Sequence, residues 1–332
     1  MSIESELIKL NNYIKTTYTA IDDKGGTIPS HKNMANLPDA VASIQGGGGI
    51  GIPREVSSQG VFQKPTESFT YALPNNATDI GVATLYYSFS SCSGITSFSA
   101  PNLTSITNGA QCFSNMCTGC QNLSSISFPM LASLGVSTNR NNSSNAFASA
   151  FNGCTSLTSV SFPELSIIYA TNGFANAFQS CTSLTSVSFA KLTQVGNHNS
   201  SQSIFRQAFM DCSSLTSISF DKLEKVQGAT MFEQAFGRCG ATSVSFPKLS
   251  NIASASKCFS NAFYQSPNLR SLSFPAFTTT SFGNYTNAFN NMLSGCTNVV
   301  VHFPSSIQTT ISGWSDVTNG FGGTNTSVLY DL

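Results

Sequence analysis

Ala146-Phe147-Ala148-Ser149-Ala150-Phe151-Asn152-Gly153-Cys154-Thr155-Ser156-Leu157-Thr158-Ser159-Val160-Ser161-Phe162-Pro163-Glu164-Leu165 is one of eight variants of a single cassette in this chain of 332 residues. A repeating unit of this length fixes the architecture, because no one copy can bury its own apolar side chains and stacked copies can. The anchor of each copy is Cys92, Cys120, Cys154, Cys181, Cys212, Cys239 or Cys296, with Ser266 standing in once. Successive anchors lie between 27 (181−154) and 34 (154−120) residues apart, so the variable part of the cassette is loop. Leu157, Val160, Phe162 and Leu165 follow Cys154, and equivalents occupy the same phase in the other copies. Two copies lack one residue after the anchor and recover phase at Val244-x-Phe246-Pro247 and Val301-x-Phe303-Pro304.

Val160 and Phe162 are two apart and share one face of a strand, which turns Ser159 and Ser161 to the other. Phe147 and Phe151 are four apart, as are Phe174/Phe178, Phe205/Phe209, Phe232/Phe236 and Phe259/Phe263. That spacing predicts one face of a short helix. Each cassette is therefore expected to run helical segment, turn through the cysteine, short strand, and a second extended piece around the later leucine. Eight turns at the spacing of paired strands give a stack of roughly 35–40 Å. The fold class expected is an α+β repeat: a solenoid of about eight turns behind a helical leader.

The Ala-Phe pair, the Cys, the Leu and the strand ending in Pro resemble the BspA-like branch of the leucine-rich repeats over roughly residues 87–304. That resemblance implies a right-handed solenoid and a family used on bacterial surfaces for adhesion. The spacing here is longer than usual for the family, and the loops carry the excess.

Composition bounds the partners. Net charge is +0 and only 9% of residues are charged, which excludes the clustered basic face that nucleic acid requires. No polybasic patch is present for anionic lipid, and no stretch is long enough to span a membrane. Seven of the 10 cysteines hold the anchor position, so they are expected inside as small apolar residues rather than in disulfides. Cys112, Cys117 and Cys258 are off phase. Cys117-x-x-Cys120 has the spacing of a redox or metal pair, but stands alone without a nearby His; no metal or cofactor is expected.

Residues 1–45 follow another grammar. Ile3, Leu7, Leu10, Ile14, Thr17 and Ile21 step by four and three, a heptad seam with one polar position. Such a seam serves oligomerisation, with a trimer favoured, or an amphipathic helix packed on its own domain. Gly46-Gly47-Gly48-Gly49 marks a hinge at 46–52 without the Lys and Ser/Thr of a phosphate loop. Residues 53–86 are expected to cap the first coil, 87–304 to form the solenoid, and 305–332 to cap its end, with Trp314 half buried there. The leader, with Tyr18-Thr19-Ala20-Ile21-Asp22-Asp23-Lys24-Gly25-Gly26, and the closing segment Gly320 to Leu332 resemble phage tail and fibre proteins of Gram-positive gut bacteria. Met1-Ser2-Ile3-Glu4-Ser5-Glu6 lacks the basic and apolar runs of an export signal.

From these resemblances the expected function is a virion tail fibre or receptor-binding protein. It would dock on tail or baseplate proteins through its leader and read a bacterial surface glycan or protein with the solenoid. The alternative is a bacterial cell-surface adhesin or interaction scaffold of the BspA type. Catalysis is not expected: His31, His198 and His302 have no phased partner, and Glu164, Lys191, Lys222 and Lys248 form a solvated row rather than an acid/base pair. Two surfaces are candidates for binding. One is the Ser/Thr ladder on the strands. The other is the set of variable loops before each Phe pair, where Arg140, Tyr169, His198 and Tyr285 supply hydrogen bonds and rings.

Overall fold

The computed structural model describes residues 55–56, 62–63, 68–73, 77–81, 84–135, 144–196, 203–253, 257–278 and 288–332. The chain divides after Arg54, and the stacked coils belong to the second unit, Glu55–Leu332. From the coil of Ser105–Ile106 to that of Asn251–Ala253, the coils have three sides: a front strand, a side strand and a turn-rich ribbon. Front strands, among them Ile95–Ser99, Ser125–Ser127, Ser159–Ser161, Ser186–Ser188, Ser217–Ser219, Ser243–Ser245, Ser271–Ser273, Val300–His302 and Ser327–Leu329, are parallel to their hydrogen-bonded neighbours. Side strands Ser105–Ile106, Ser133–Leu134, Ile167–Ile168, Gln194–Val195, Lys225–Gln227 and Asn251–Ala253 form one continuous parallel sheet of six. The register puts Val187 beside both Val160 and Ile218, so equal positions of successive cassettes stack directly.

The front sheet falls into three blocks, with hydrogen bonding interrupted after Ser125–Ser127 and after Ser217–Ser219. Inward residues at these block ends, Ile126 and Ile218, are half exposed, whereas Val160 and Val187 are buried. The second interruption precedes a coil that lacks one residue after Cys239. There the chain pulls so close that a Cβ on Gly240 would sit 2.5 Å from the Ser213 carbonyl oxygen.

Phenylalanines fill the interior in stacked columns. Phe147 and Phe174 lie parallel with centroids 4.9 Å apart, and so do Phe162 and Phe189 at 5.4 Å. Between columns the rings meet edge to face, as Phe162 and Phe174 do at 5.1 Å. Offset stacks and T-shaped contacts are the two arrangements the ring quadrupole favours.

The segment carrying each Phe pair is not a helix. It is a ribbon of four-residue turns, and every fourth residue has positive φ: Asn145, Ser149 and Gly153 in one coil, Asn172, Asn176 and Ser180 in the next. Alternate N–H groups bond in two directions. Phe147, Ser149, Phe151 and Gly153 donate to carbonyls of the following coil at 2.8 Å, while Ala148, Ala150, Asn152 and Cys154 donate three residues back within their own. A turn period of four returns Phe151 to the face of Phe147 just as a helix would, so side-chain spacing alone does not separate the two. What separates them is the residue two after each Phe. A left-handed conformation costs an L-residue roughly 1–2 kcal/mol, least for Asn and most for bulky side chains. Among the described residues, every non-glycine there is Asn, Gln, Ser, Asp or Arg, except Tyr87 and the buried Phe321.

The anchor cysteines close the turn, and all 10 cysteines are buried and none forms a disulfide. The Cys181 thiol donates to the Phe151 carbonyl at 3.1 Å, Cys212 to Phe178 at 3.1 Å and Cys296 to Phe263 at 3.0 Å. Ser266 donates its hydroxyl to Phe236 at 3.0 Å in the same way. The anchor is therefore a small donor as well as a packing residue, which is why serine replaces it. Burial pushes the thiols of Cys117, Cys154 and Cys181 well up from their ordinary value, Cys117 further through its neighbour Cys120.

Beyond Val300–His302 the chain makes the short helices Gln308–Ile311 and Ser315–Thr318 before Ser327–Leu329 pairs parallel with Val300–His302. Trp314, between the helices, is half buried.

Candidate functional site

Three outward surfaces arise from this cross-section, and they differ in how much they vary. The front face is a ladder of serines, Ser159/Ser161 over Ser186/Ser188 over Ser217/Ser219 in register. It repeats one chemistry along the stack. On the bend after the front strands, Lys191 reaches Glu164 at 2.6 Å, an exposed pair.

The side-strand surface leads into the variable loops. Of the four loop residues expected to bind, Tyr169 alone lies among the described residues; Arg140, His198 and Tyr285 lie outside them, as do Ile3, Leu7, Leu10, Ile14 and Ile21 of the heptad seam. Tyr169 is half buried directly after Ile167–Ile168, and its N–H donates to the Leu134 carbonyl at 2.7 Å. The coil beneath turns at Gly135, at φ 82, where a Cβ would stand 2.8 Å from the Ala170 nitrogen. Only glycine passes there.

The ribbon surface varies most. Its left-handed positions point polar side chains outward, and these bond from coil to coil. Asn172 donates to Asn145 at 3.2 Å and Asn176 to Gln207 at 2.9 Å, while within its own coil Asn176 also donates to Gln179 at 2.9 Å. Charge enters this amide ribbon in one zone. The ribbons at 84–92, 109–120, 144–154, 171–181 and 288–296 contain no charged residue, whereas 203–212, 230–239 and 257–266 hold Arg206, Asp211, Glu233, Arg238 and Lys257. Arg206 pairs with Glu233 at 3.2 Å. Arg238 grips Asp211 with two nitrogens, Nε and Nη2, the second at 2.8 Å from Oδ2, and its guanidinium lies 5.9 Å from the centre of the Tyr264 ring. The Asp211 hydrogen bond raises the Arg238 guanidinium further above its ordinary value. In the Arg206–Glu233 pair the cation is the outer member, its side chain 50% exposed against 27% for the carboxylate.

The sequence signal for this zone is phase. Asp211 and Arg238 (238−211 = 27) and Arg206 and Glu233 (233−206 = 27) are equal positions of adjacent cassettes. Comparing copies column by column on the ribbon would have found both pairs. The same comparison concerns His302, expected to lack a partner. Its Nδ1 stands 3.0 Å from an Asp331 oxygen, one coil on, because His302 and Leu329 are register partners. Among the described residues no three His, Cys, Asp or Glu side chains gather as metal ligands, and no helix is long and apolar enough to cross a membrane.

The family model for the BspA type leucine rich repeat region matches in six copies, over residues 55–199, 141–261 and 202–313. Among solved structures, the chain is similar to a leucine-rich repeat protein from Bacteroides ovatus, with 16% identity, 80% of this chain and 72% of that one covered, and a TM-score of 0.27. It is also similar to the T. pallidum leucine rich repeat protein, with 20% identity, coverage of 55% and 85%, and a TM-score of 0.28. A third is a leucine rich cell surface protein from Faecalibacterium prausnitzii, with 14% identity, coverage of 82% and 92%, and a TM-score of 0.17. No curated protein matches the chain.

Proposed function

The chain belongs to the BspA-type leucine-rich repeat family, and on that premise we propose that it is a non-enzymatic binding scaffold, an adhesin or interaction protein of a bacterial surface. Its binding face is the turn ribbon. The observation that carries this is the segregation of charge: five ribbons have none, and three adjacent ones hold Arg206, Asp211, Glu233, Arg238 and Lys257 beside Tyr264. A core repeat has no need of such a zone, and Arg and Tyr are the residues that anchor interfaces. The serine ladder, repeated unchanged from Ser125 to Ser273, supports the stack and gives no address.

The test compares two triple variants in binding to a panel of Gram-positive and Gram-negative cells. Arg206→Ala/Arg238→Ala/Tyr264→Ala is expected to lose at least about tenfold, in line with the loss of one or more interface anchors. Ser159→Ala/Ser186→Ala/Ser217→Ala is expected to bind as the parent does. The reverse order would move the binding face to the strands.

A second setting, a virion tail fibre trimerised through residues 1–45, rests on the heptad seam from Ile3 to Ile21 and on the resemblance of the leader. Sedimentation of the full chain separates the two: a trimer that reverts to monomer on Leu7→Asp/Leu10→Asp supports the fibre, and a monomer removes it.

A further inference from the structure

We infer that Tyr86 and Tyr87 form a second binding site on the ribbon, an aromatic platform for an uncharged pyranose of a surface glycan; this rests on the scaffold reading and gives it a ligand class. Three observations converge on the first coil. Tyr87 sits at φ 54, the left-handed position that other coils fill with Asn115, Ser149, Asn176, Gln207 and Gln234. A bulky aromatic residue there carries a larger conformational cost than the Asn that the next coil places at the same position. Nothing in the core repays it, since Tyr87 is 49% and Tyr86 43% exposed. The two rings stand perpendicular, 83° between planes with centroids 4.5 Å apart, and so present faces in two directions.

The surroundings choose the ligand. The ribbon of Tyr87 and the three that follow it contain no charged residue, which disfavours anionic lipid, nucleic acid and acidic or basic peptide. Gln111, one coil on, supplies an exposed amide, and Ser91 an exposed hydroxyl. A ring to cover one apolar face of a sugar, with an amide and a hydroxyl around it, matches a neutral pyranose, which has C–H groups on its faces and hydroxyls at its rim. Tyrosine offers that face with few rotatable bonds to freeze.

The experiment takes the full chain and the variants Tyr87→Asn and Tyr86→Ser, with cellotetraose, chitotetraose and β-galactotetraose as probes and tetragalacturonate as the charged control. Saturation-transfer NMR reads binding, and thermal unfolding reads the fold. Asn is what the next coil carries at this position, so Tyr87→Asn is expected to hold the unfolding midpoint or raise it by about 2 °C, the size of shift that relief of such strain gives in a chain of this length. The same variant is expected to weaken the best neutral probe at least about tenfold, and Tyr86→Ser to weaken it similarly. No transfer to any neutral probe from the parent chain overturns the site. So does a Tyr87→Asn variant that binds as before, or a preference for tetragalacturonate. Cell binding lost in the Arg206/Arg238/Tyr264 variant but kept in Tyr87→Asn would remove this site and leave the scaffold standing; sugar binding by a chain that binds no cell would do the opposite.

Discussion

The front strands and the turn ribbons cross the same core, yet they obey different rules outward. On the front strands an outward residue needs only to tolerate a pleat, and serine recurs from Ser125 to Ser273. On the ribbons every fourth outward residue must accept positive φ, and its identity changes from coil to coil through Tyr87, Asn115, Ser149, Asn176, Gln207, Gln234 and Asn261. Backbone geometry thus restricts the ribbon more tightly, yet the ribbon is where the chain diversifies. Variation under a tighter constraint is a stronger mark of function than variation where anything fits.

Both sides depend on the shared Phe columns, and the largest effect is expected there. Phe178 lies parallel between Phe151 and Phe209, with centroids 5.4 Å away on each side. Phe178→Ala should cost about 3–5 kcal/mol in denaturant unfolding, the range for a buried phenylalanine whose cavity cannot collapse. A cost near that of a surface change would mean that the columns are not the common support.

One substitution made on each side of the same coil gives the sharpest contrast. Asn176→Val places a β-branched residue at positive φ and removes the bonds to Gln179 and Gln207, so a loss of about 1–2 kcal/mol is expected. Ser186→Val, outward on Ser186–Ser188, suits a strand and should fall within about 0.5 kcal/mol of the parent. Asn176→Gly should recover most of the loss. Equal costs for the two valines would abolish the distinction between ribbon and strand.

Where ribbon meets strand, the anchor thiol is expected to matter less. Cys181→Ser keeps a donor for the Phe151 carbonyl, as Ser266 does for Phe236, and should stay within about 1 kcal/mol of the parent. Cys181→Ala loses that bond and leaves a small void, so it should be the less stable of the two. The Phe151 carbonyl still accepts the Cys154 N–H at 3.2 Å, which keeps even that loss modest. Alanine matching serine would reduce the anchor to packing alone.

Much of the fold is legible in the cassette. Val160 and Phe162 two apart mark the strand with Ser159 and Ser161 outward, and the buried and exposed alternation agrees. The ribbon reads as a helix because Phe147 and Phe151 satisfy a four-residue turn and a helical turn alike. The asparagines, glutamines and glycines two residues after each Phe hold the distinction, since a run of left-handed formers at a period of four is foreign to a helix. The Asp211–Arg238 and His302–Asp331 pairs are hidden differently. Their partners are adjacent only once the coils are stacked, so the contact appears in comparison between copies and not along the chain.

The ribbon ends at a site where this difference can be titrated. Phe147, Phe174, Phe205, Phe232 and Phe259 each donate their N–H to a main-chain carbonyl of the next coil. Phe289 has a helix, Ser315–Thr318, where the next turn would lie, and it donates instead to the Asp316 carboxylate at 3.1 Å. Asp316 is 7% exposed, and burial raises its pKa while the Phe289 N–H opposes the shift. A carboxyl raised in the folded state binds its proton more tightly there than in the unfolded chain. Its contribution therefore favours folding below the ordinary value of 3.8 and declines as pH rises through the folded value. Asp316→Asn keeps an oxygen for the Phe289 N–H and has no charge to bury. It should be the more stable protein at pH 7, with the advantage shrinking as pH falls through the folded pKa and absent below about 3.8. A variant less stable than the parent at pH 7 would mean that the negative charge itself holds Phe289. The end of the ribbon would then be closed by a charge-assisted bond stronger than the carbonyl contacts it replaces.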